Sequence, residues 1–310
     1  MTAPRTDRPP PDCIVIGGGP AGLVAATYLA RFRRHVRVFD HGHSRARYIP
    51  VSHNCPGFPF GVSGNDLLDR LREQAVRYGA RLIDARVERI AREGDGFQIE
   101  AGEHSCRAPT VLIACGISDR MPALRGLERA IAAGVVRLCA ICDGYEARDE
   151  RIAVYGPPDA ALRHAAFLRT FSRTVTAIAS EPGEAGADAL REAAVLGVRC
   201  LPVPVRIDLP GAGNTDRDAC RVAWDGREEA FDTLYPVLGA EPKAAAFAAS
   251  LALRTDADGE ILVDAHMQTS VENLYAAGDV VSDLNQISVA VGHAAIAATA
   301  IHNRLPRNAL

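Results

Sequence analysis

Two cysteines in the segment "LCAICDGYE" are spaced for reversible disulfide chemistry. Cys139 and Cys142 lie one helical turn apart, so their sulfurs can form a disulfide that opens and closes. A helix start lowers the pKa of a thiol, and such pairs therefore exchange readily. Asp143 follows directly and could exchange a proton with the departing sulfur. The pattern predicts that Cys139, Cys142 and Asp143 are catalytic in thiol–disulfide exchange.

Two other interpretations of this pair remain open, a zinc site and inert cysteines. Zinc would need two further ligands at similar spacing, and the sequence offers no second C-x-x-C or histidine pair, so we expect no metal. The remaining cysteines are dispersed, unlike the disulfide framework of a secreted protein. For most of them, Cys13, Cys106, Cys200 and Cys220, we expect a packing role.

A glycine-rich turn predicts a second kind of chemistry near the N-terminus. Gly17-x-Gly19-x-x-Gly22 follows the apolar strand "CIVI" and opens an Ala/Leu-rich helix. The glycines permit a tight turn, close approach of a pyrophosphate and helix–strand packing, and the helix N-terminus favours the anion. Asp40 ends the next strand, where an acidic residue can accept hydrogen bonds from an adenosine ribose. This context predicts a dinucleotide site.

The elements around these motifs indicate an α/β fold with parallel sheets. A β-α-β pattern opens the chain, and a second begins at "RIAVYG" and continues through the helix "AALRHAAFLRTF" to the strand "TVTAIAS". The segments "RVAWDG" and "EEAFDTLYPVLG" read as a hairpin and an exit strand. A long helix, "SVAVGHAAIAATAIHNRL", closes the pattern. Two such starts predict two nucleotide-type domains.

Composition limits the class of protein. The 310 residues are 48% hydrophobic with a net charge of −3, and the arginines form no basic block, so we expect neither a nucleic-acid nor a membrane partner. The stretch "MTAPRTDRPPPD" lacks the apolar core of a signal peptide, and no apolar run approaches membrane-spanning length. We therefore expect a cytoplasmic protein.

With the glycine loop, "NCPGFPFGVSGNDLLDRLREQAVRYGA", "CAICDG", "NLYAAGDVV" and "NQIS" in this order, the chain resembles the low-molecular-weight thioredoxin reductases. The resemblance implies that each chain folds into two Rossmann-like, doubly wound, three-layer domains of the pyridine-nucleotide-disulfide oxidoreductase type. It also implies that two chains form a homodimer. Residues 12–117 and 245–310 would bind FAD, and 118–244 would be an inserted NAD(P)H-like domain with the C-x-x-C. Cys142 would face the flavin and Cys139 the external thiol.

The same resemblance implies the residues that hold FAD. Asn54, Gln286 and Ile287 would approach the flavin ring, and the backbone at Val87 would contact adenine. Cys115 would lie beside FAD, and Cys55, His53 and His293 could lie near the flavin, although a lone histidine is more often structural. The full predicted set is Gly17, Gly19, Pro20, Ala21, Gly22, Asp40, Asn54, Val87, Gly116, Gly278, Asp279, Gln286 and Ile287.

The second nucleotide loop departs from this family. The family has G-x-G-x-x-A, but here Pro158, preceded by Pro157, replaces the middle glycine, and proline has no N–H for a phosphate. The arginine cluster for the 2′-phosphate of NADPH is replaced by "AIASEPGEAG", with acidic Glu181. Both changes predict weak or absent NADPH binding.

The segment "HSRARYIPVSH", in place of the family's Gly-Gly-Gln-Leu, together with "CDGYE" is more similar to thioredoxin-reductase-like dithiol oxidases. We therefore expect an FAD-dependent dithiol oxidase that closes disulfides in a small dithiol or a thioredoxin-like protein, with oxygen as electron acceptor. The alternative is a thioredoxin-disulfide reductase fed by NADPH, ferredoxin or a second flavin. A non-catalytic redox sensor is a third interpretation.

Overall fold

The computed structural model describes residues 9–210, 219–281 and 284–309. Contacts divide the chain into two units: the first contains the described parts of Met1–Arg47, Asn65–Ser118 and Glu241–Leu310, and the second those of Tyr48–Gly64 and Asp119–Ala240. Residues 48–64, which the resemblance placed in the FAD-binding domain, belong to the second unit because Tyr48 packs against its core.

The elements are numbered in chain order. The strands are β1 Cys13–Ile16, β2 Val36–Asp40, β3 Arg81–Asp84, β4 Arg89–Glu93, β5 Gly96–Ala101, β6 His104–Ala108, β7 Thr110–Ile113, β8 Ile117–Asp119, β9 Arg151–Gly156, β10 Thr174–Ala179, β11 Arg199–Leu201, β12 Arg206–Asp208, β13 Cys220–Trp224, β14 Arg227–Phe231, β15 Thr233–Pro236, β16 Ala240–Pro242 and β17 Leu274–Ala276. The α-helices are α1 Pro20–Arg31, α2 Gly64–Arg77, α3 Leu127–Ala132, α4 Ala140–Asp143, α5 Pro158–Leu168, α6 Ala187–Val195, α7 Ala245–Ser250 and α8 Ile287–Arg304.

The first unit is built on a parallel sheet of order β17-β7-β1-β2-β3. Every residue of β1 and β7 is buried, as expected for the centre of a parallel sheet covered on both faces. A core cluster joins this sheet to the antiparallel strands β4-β5-β6 and to α7. Helices α1 and α8 pack on each other. Because all strands of this sheet are parallel, their carboxyl ends meet at one edge of the sheet.

The second unit repeats this arrangement on a smaller scale. Its parallel sheet has the order β11-β10-β9-β15, and β9 pairs with β10 along its whole length. One core cluster lies between this sheet and helices α5 and α6, and another contains residues of α3, β13 and β14. Both predicted β-α-β starts, the hairpin and the exit strand are present, so the sequence-based α/β prediction is confirmed.

Across the described residues, we find no helix that is both long and apolar enough to cross a membrane.

Candidate functional site

The glycine loop of the first unit has the shape that a dinucleotide requires. Gly17 has a φ of +110°, and a side chain there would overlap the Ala114 carbonyl oxygen. A side chain at Gly22 would overlap the carbonyl oxygen of Gly17. Gly19, by contrast, caps α1 and faces open space except for the hydroxyl of Ser44, 3.3 Å from an ideal Cβ. Gly17 and Gly22 thus serve packing, while Gly19 leaves room at the helix N-terminus for a pyrophosphate.

Asp40 lies at the carboxyl end of β2, beside this loop. One carboxylate oxygen accepts a hydrogen bond from the Gly42 N–H at 3.2 Å, and the other forms an ion pair with Arg72 of α2 at 3.3 Å. A side chain at Gly18 would overlap the Asp40 carboxylate, so the acid lies directly against the glycine loop. This is the position from which a carboxylate accepts hydrogen bonds from an adenosine ribose.

The second predicted FAD segment reaches the same edge of the sheet after β17. Gly278 has a φ of +80°, and a side chain there would contact Cβ of Ala21, in the first turn of α1, at 2.9 Å. Asp279 forms an ion pair with Arg45 at 3.8 Å. Gly116, with a φ of +67°, follows β7 at this edge. These positions surround the N-terminus of α1 and fit the ADP half and ribityl region of FAD.

The remaining predicted FAD residues have different placements. Gln286 caps α8 and Ile287 is its first residue, as expected. The side chain of Val87 is buried in the first unit's core, consistent with a role that uses its backbone. Asn54 lies in the second unit, where its carbonyl accepts a hydrogen bond from the Ser52 hydroxyl at 3.0 Å. The contact of Asn54 with the flavin stays a prediction.

Three residues near the glycine loop were missed by sequence reasoning, namely Ser44, Arg45 and Arg72. Ser44 and Arg45 belong to the segment that replaces the family's Gly-Gly-Gln-Leu, a departure that could have drawn attention to them. Arg72 has no local signal, because its partner Asp40 is 32 residues earlier.

Cys139 and Cys142 of the second unit form a disulfide, with Cα atoms 5.2 Å apart. Cys139 precedes α4 as its N-cap, and the Cys142 N–H lies 3.2 Å from the Cys139 sulfur and 3.0 Å from its carbonyl oxygen. The short helix thus fixes the two sulfurs one turn apart, as the spacing predicts. A reversible disulfide is the chemistry that this geometry supports.

The carboxyl group of Asp143 is held from two sides. The Tyr235 hydroxyl of β15 donates a hydrogen bond to one oxygen at 2.9 Å, and the guanidinium of Arg137 lies 3.5 Å from the other. Burial raises the pKa of Asp143, while Arg137 and the Tyr235 hydrogen bond oppose the rise. Asp143 is therefore a carboxyl group with a perturbed pKa next to the Cys139–Cys142 disulfide, which fits proton transfer.

The second nucleotide loop differs from the first at the start of its helix. Both helices begin with a proline, Pro20 in α1 and Pro158 in α5, but the N-cap of α5 is Pro157 where α1 has Gly19, so α5 lacks a further backbone N–H that a phosphate would use. Asp159 occupies the first turn, where its carboxylate accepts hydrogen bonds from the Gly186 N–H at 3.1 Å and from Arg163 at 2.7 Å. The Arg163 hydrogen bond, with the Gly186 N–H, lowers the pKa of Asp159. A negative charge thus lies where a pyrophosphate would bind.

The other cysteines and the two histidines show no arrangement for catalysis. Cys13, Cys55, Cys106 and Cys220 are buried and Cys115 is half-buried, but Cys200 is exposed, so its predicted packing role is wrong. Cys200 lies on the short edge strand β11, where one face is open to solvent. Burial lowers the pKa of His293, while His53 is exposed. In the part of the chain that the structure describes, no three His, Cys, Asp or Glu side chains are grouped to hold a metal ion.

Comparison with known proteins identifies the family. The family model described as pyridine nucleotide-disulphide oxidoreductase matches residues 11–294. The chain belongs to this family. It is 30% identical over 277 residues to a thioredoxin reductase of Mycolicibacterium smegmatis, covering 87% of this chain and 88% of that protein. A thioredoxin reductase of Treponema pallidum is also 30% identical, with 93% of this chain and 95% of that protein covered.

Solved structures agree with this assignment. The thioredoxin reductase of Streptococcus pyogenes is 29% identical with a TM-score of 0.86, covering 94% of this chain and 97% of that one. The fold of the pyridine-nucleotide-disulfide oxidoreductase type is confirmed, and so are a thioredoxin-reductase-like oxidoreductase enzyme and FAD as its cofactor. The relatives favour the reductase alternative over the dithiol oxidase that we expected from the sequence.

Proposed function

We propose that the protein is an FAD-dependent disulfide reductase of the thioredoxin reductase type, with Cys139–Cys142 as its exchanging pair. The observation that carries this proposal is the disulfide at the start of α4, followed directly by the half-buried carboxyl of Asp143. Thioredoxin reductases at 30% identity support the direction of electron flow. The proposed substrate is a thioredoxin-like protein or a small disulfide. The proposed setting is a cytoplasmic homodimer.

Each residue of the pair has its own step. In the reduced protein, the Cys139 thiolate attacks a substrate disulfide, forms a mixed disulfide and releases one substrate sulfur, which takes a proton. The Cys142 thiolate then attacks Cys139, closes the protein disulfide and releases the second substrate sulfur, which is also protonated. Two electrons and two protons thus pass to the substrate. Asp143 carries a proton to or from sulfur in these steps.

When bound, FAD would supply the electron pair that reopens the protein disulfide. The residues proposed to hold it are the glycine loop with Pro20 and Ala21, the ribose-binding Asp40, and Gly116, Gly278 and Asp279 at the same sheet edge. Asn54, Val87, Gln286 and Ile287 complete the proposed set. Their chemistry fits the cofactor, since open backbone N–H groups at the start of α1 suit a pyrophosphate and the Asp40 carboxylate suits a ribose.

NADPH is a poor candidate for the electron source. The N-terminus of α5 lacks two N–H groups and carries the Asp159 carboxylate, and exposed Glu181 follows β10 where a 2′-phosphate would need a cation. Both features disfavour a phosphorylated dinucleotide. We propose that ferredoxin or a second flavin reduces the protein, with NADPH as a weak donor.

The same α5 N-terminus favours a second candidate function, the dithiol oxidase. In that direction, a substrate thiolate attacks Cys139, Cys142 leaves, and the second substrate thiol closes the product disulfide and frees Cys139. Bound FAD would supply the acceptor for the two electrons, with oxygen as the final oxidant. An oxidase needs no nicotinamide nucleotide, so loss of that site costs it nothing.

Anaerobic reduction of the flavin separates these functions. Purified FAD-loaded protein is mixed with excess NADPH, NADH or dithiothreitol, and flavin absorbance is followed before and after air is admitted. The proposed reductase bleaches slowly with nucleotides, and its reduced form reduces a thioredoxin disulfide faster than it reacts with oxygen. Bleaching with dithiol and rapid recovery in air, without thioredoxin reduction, would favour the oxidase. The control is Cys142→Ser, in which dithiothreitol should no longer bleach the flavin absorbance. If dithiothreitol still bleached the flavin of this variant, both functions would be contradicted.

A further inference from the structure

The carboxyl of Asp143 is held by two residues that a single strand keeps in place. Tyr235 lies on β15, its ring is 1% exposed, and its hydroxyl donates to Asp143 Oδ1 at 2.9 Å. The backbone N–H of Arg137 donates to the carbonyl of Leu234, the neighbour of Tyr235, at 3.0 Å. From there the Arg137 guanidinium reaches Asp143 Oδ2 at 3.5 Å. Both groups that contact the carboxyl are therefore anchored to β15.

We propose that Arg137 and Tyr235 are positioning residues, which hold the Asp143 carboxyl as the proton carrier of the Cys139–Cys142 pair. The inference rests on the proposed function of that pair. Arg137 remains beside Asp143 even though, among the described residues, its buried Nε finds no hydrogen-bond acceptor. An unpaired buried N–H costs stability, so packing alone does not explain this side chain.

The charges around Asp143 set its proton affinity. Burial is the largest influence and raises the pKa; Glu146 raises it further, while Arg137 and the Tyr235 hydrogen bond lower it. The pKa of Tyr235 is itself strongly raised by burial and by Asp143, and Glu150 adds to this. Tyr235 therefore keeps its proton and serves as a donor to the carboxylate. Arg137 and Tyr235 together keep Asp143 able to release a proton despite its burial.

This arrangement acts when the protein disulfide opens. An incoming thiolate forms a bond to the Cys139 sulfur, the Cys139–Cys142 bond breaks with its electron pair on Cys142, and the Asp143 carboxyl gives its proton to that sulfur. When the disulfide closes, the proton returns to the carboxylate. Opening thus requires protonated Asp143, so its rate per thiolate should fall as pH rises through the pKa of Asp143.

The test compares pH profiles of disulfide opening. Anaerobic FAD-loaded protein is mixed with dithiothreitol, the opened cysteines are trapped by alkylation, and the rate is divided by the thiolate fraction of the probe at each pH. Tyr235→Phe removes a hydrogen bond to the carboxylate, so the midpoint of the falling limb should rise by roughly one to two pH units. Arg137→Gln removes a cation and should raise this midpoint by roughly one to three pH units. Arg137→Lys keeps a cation and should bring the midpoint most of the way back to the wild-type value.

Two control variants keep the outcomes distinct. Tyr155→Phe alters a half-buried tyrosine on the neighbouring strand β9 and should leave the midpoint unchanged. Asp143→Asn should abolish the falling limb of the pH profile. If wild type is not opened by dithiothreitol, or if Asp143→Asn keeps the limb, the proposed function of the pair or of Asp143 fails. If Asp143→Asn loses the limb but Tyr235→Phe and Arg137→Gln only slow the reaction at an unchanged midpoint, the inference about these two residues is overturned.

Discussion

Glycines of the same motif have different physical roles. Gly22 allows α1 to pack on the loop, because any side chain there meets the backbone carbonyl of Gly17. Gly19 meets only a hydroxyl group, so its missing side chain is not needed for folding. The sequence motif does not distinguish these positions, whereas in the structure packing requires a glycine at position 22 and not at position 19.

This difference predicts opposite phenotypes for two substitutions. Gly19→Val should leave the fold intact but weaken FAD binding, since the side chain fills the space left for the pyrophosphate. Gly22→Ala should destabilise the protein by about 1–3 kcal/mol through overpacking. Urea unfolding and FAD titration of the apoprotein measure the two effects. Equal loss of stability in both variants would contradict the assignment of Gly19 to cofactor binding.

The two redox cysteines should be equally necessary for turnover and equally unnecessary for the cofactor. Cys139→Ser and Cys142→Ser each remove one sulfur of the pair, so neither variant can close a disulfide. We expect no measurable catalytic turnover in either variant, while the flavin absorbance and the FAD content should equal those of wild type. Cys200→Ser, at an exposed position outside the pair, is the matched control and should retain full turnover. Catalytic turnover by either variant would show that another thiol does the chemistry.

At the scale of elements, α8 is buried through small side chains. Its described buried positions include Ala294, Ala297 and Ala298, and the helix packs on α1, which also presents alanines. Small residues allow the two helix backbones to approach closely, so this contact has little free volume.

Ala297→Leu should therefore destabilise the first unit by about 1–3 kcal/mol, because a closely packed interface cannot accept three more carbon atoms without strain. Ala295→Leu, two residues earlier on the partly exposed side of the same helix, is the control and should change stability by less than about 0.5 kcal/mol. Chemical unfolding of the FAD-loaded proteins measures both. A neutral Ala297→Leu would mean that the α1–α8 contact is loosely packed.

For the whole molecule, local patterns predicted the parts that depend on local physics. The strand–glycine–helix start, the redox pair and the hairpin were found because their periodicity or spacing is contained in short segments. Tyr235 and Arg72 were not found, because they lie 92 and 32 residues from their partners in the chain. Arg137 was not found because its position depends on a backbone hydrogen bond to Leu234 of the distant strand β15. No sequence pattern signals such a contact.

Exposure at sheet edges was equally hard to predict. Cys200 and Cys220 look alike in sequence, yet Cys220 is fully buried on the central strand β13 and Cys200 is exposed on the edge strand β11. Strand order within a sheet decides this difference. The reactivity of each dispersed cysteine therefore reports whether its position in the fold is buried or exposed.

Alkylation of the native protein measures the reactivity of these cysteines. Burial raises the pKa of Cys13, Cys115 and Cys220 to about 12, which leaves them as unreactive thiols. Cys200 also has a raised pKa, but it is exposed, so it should react slowly at neutral pH and faster as the pH increases. Iodoacetamide should thus label Cys200 alone in the oxidised protein, and Cys139 and Cys142 as well after anaerobic treatment with dithiothreitol.

Peptide mass spectrometry locates each label, and Cys200→Ser should remove the only label of the oxidised state. Urea at unfolding concentration should expose the buried thiols and provides the positive control. Labelling of Cys13 or Cys220 at the rate of Cys200 under native conditions would show that the sheet holding that cysteine, parallel for Cys13 and antiparallel for Cys220, opens in solution. Protection of those thiols, together with two new labels on reduction, would tie the redox chemistry to one pair within an otherwise closed fold, because only a sulfur that reagents can reach takes part in exchange.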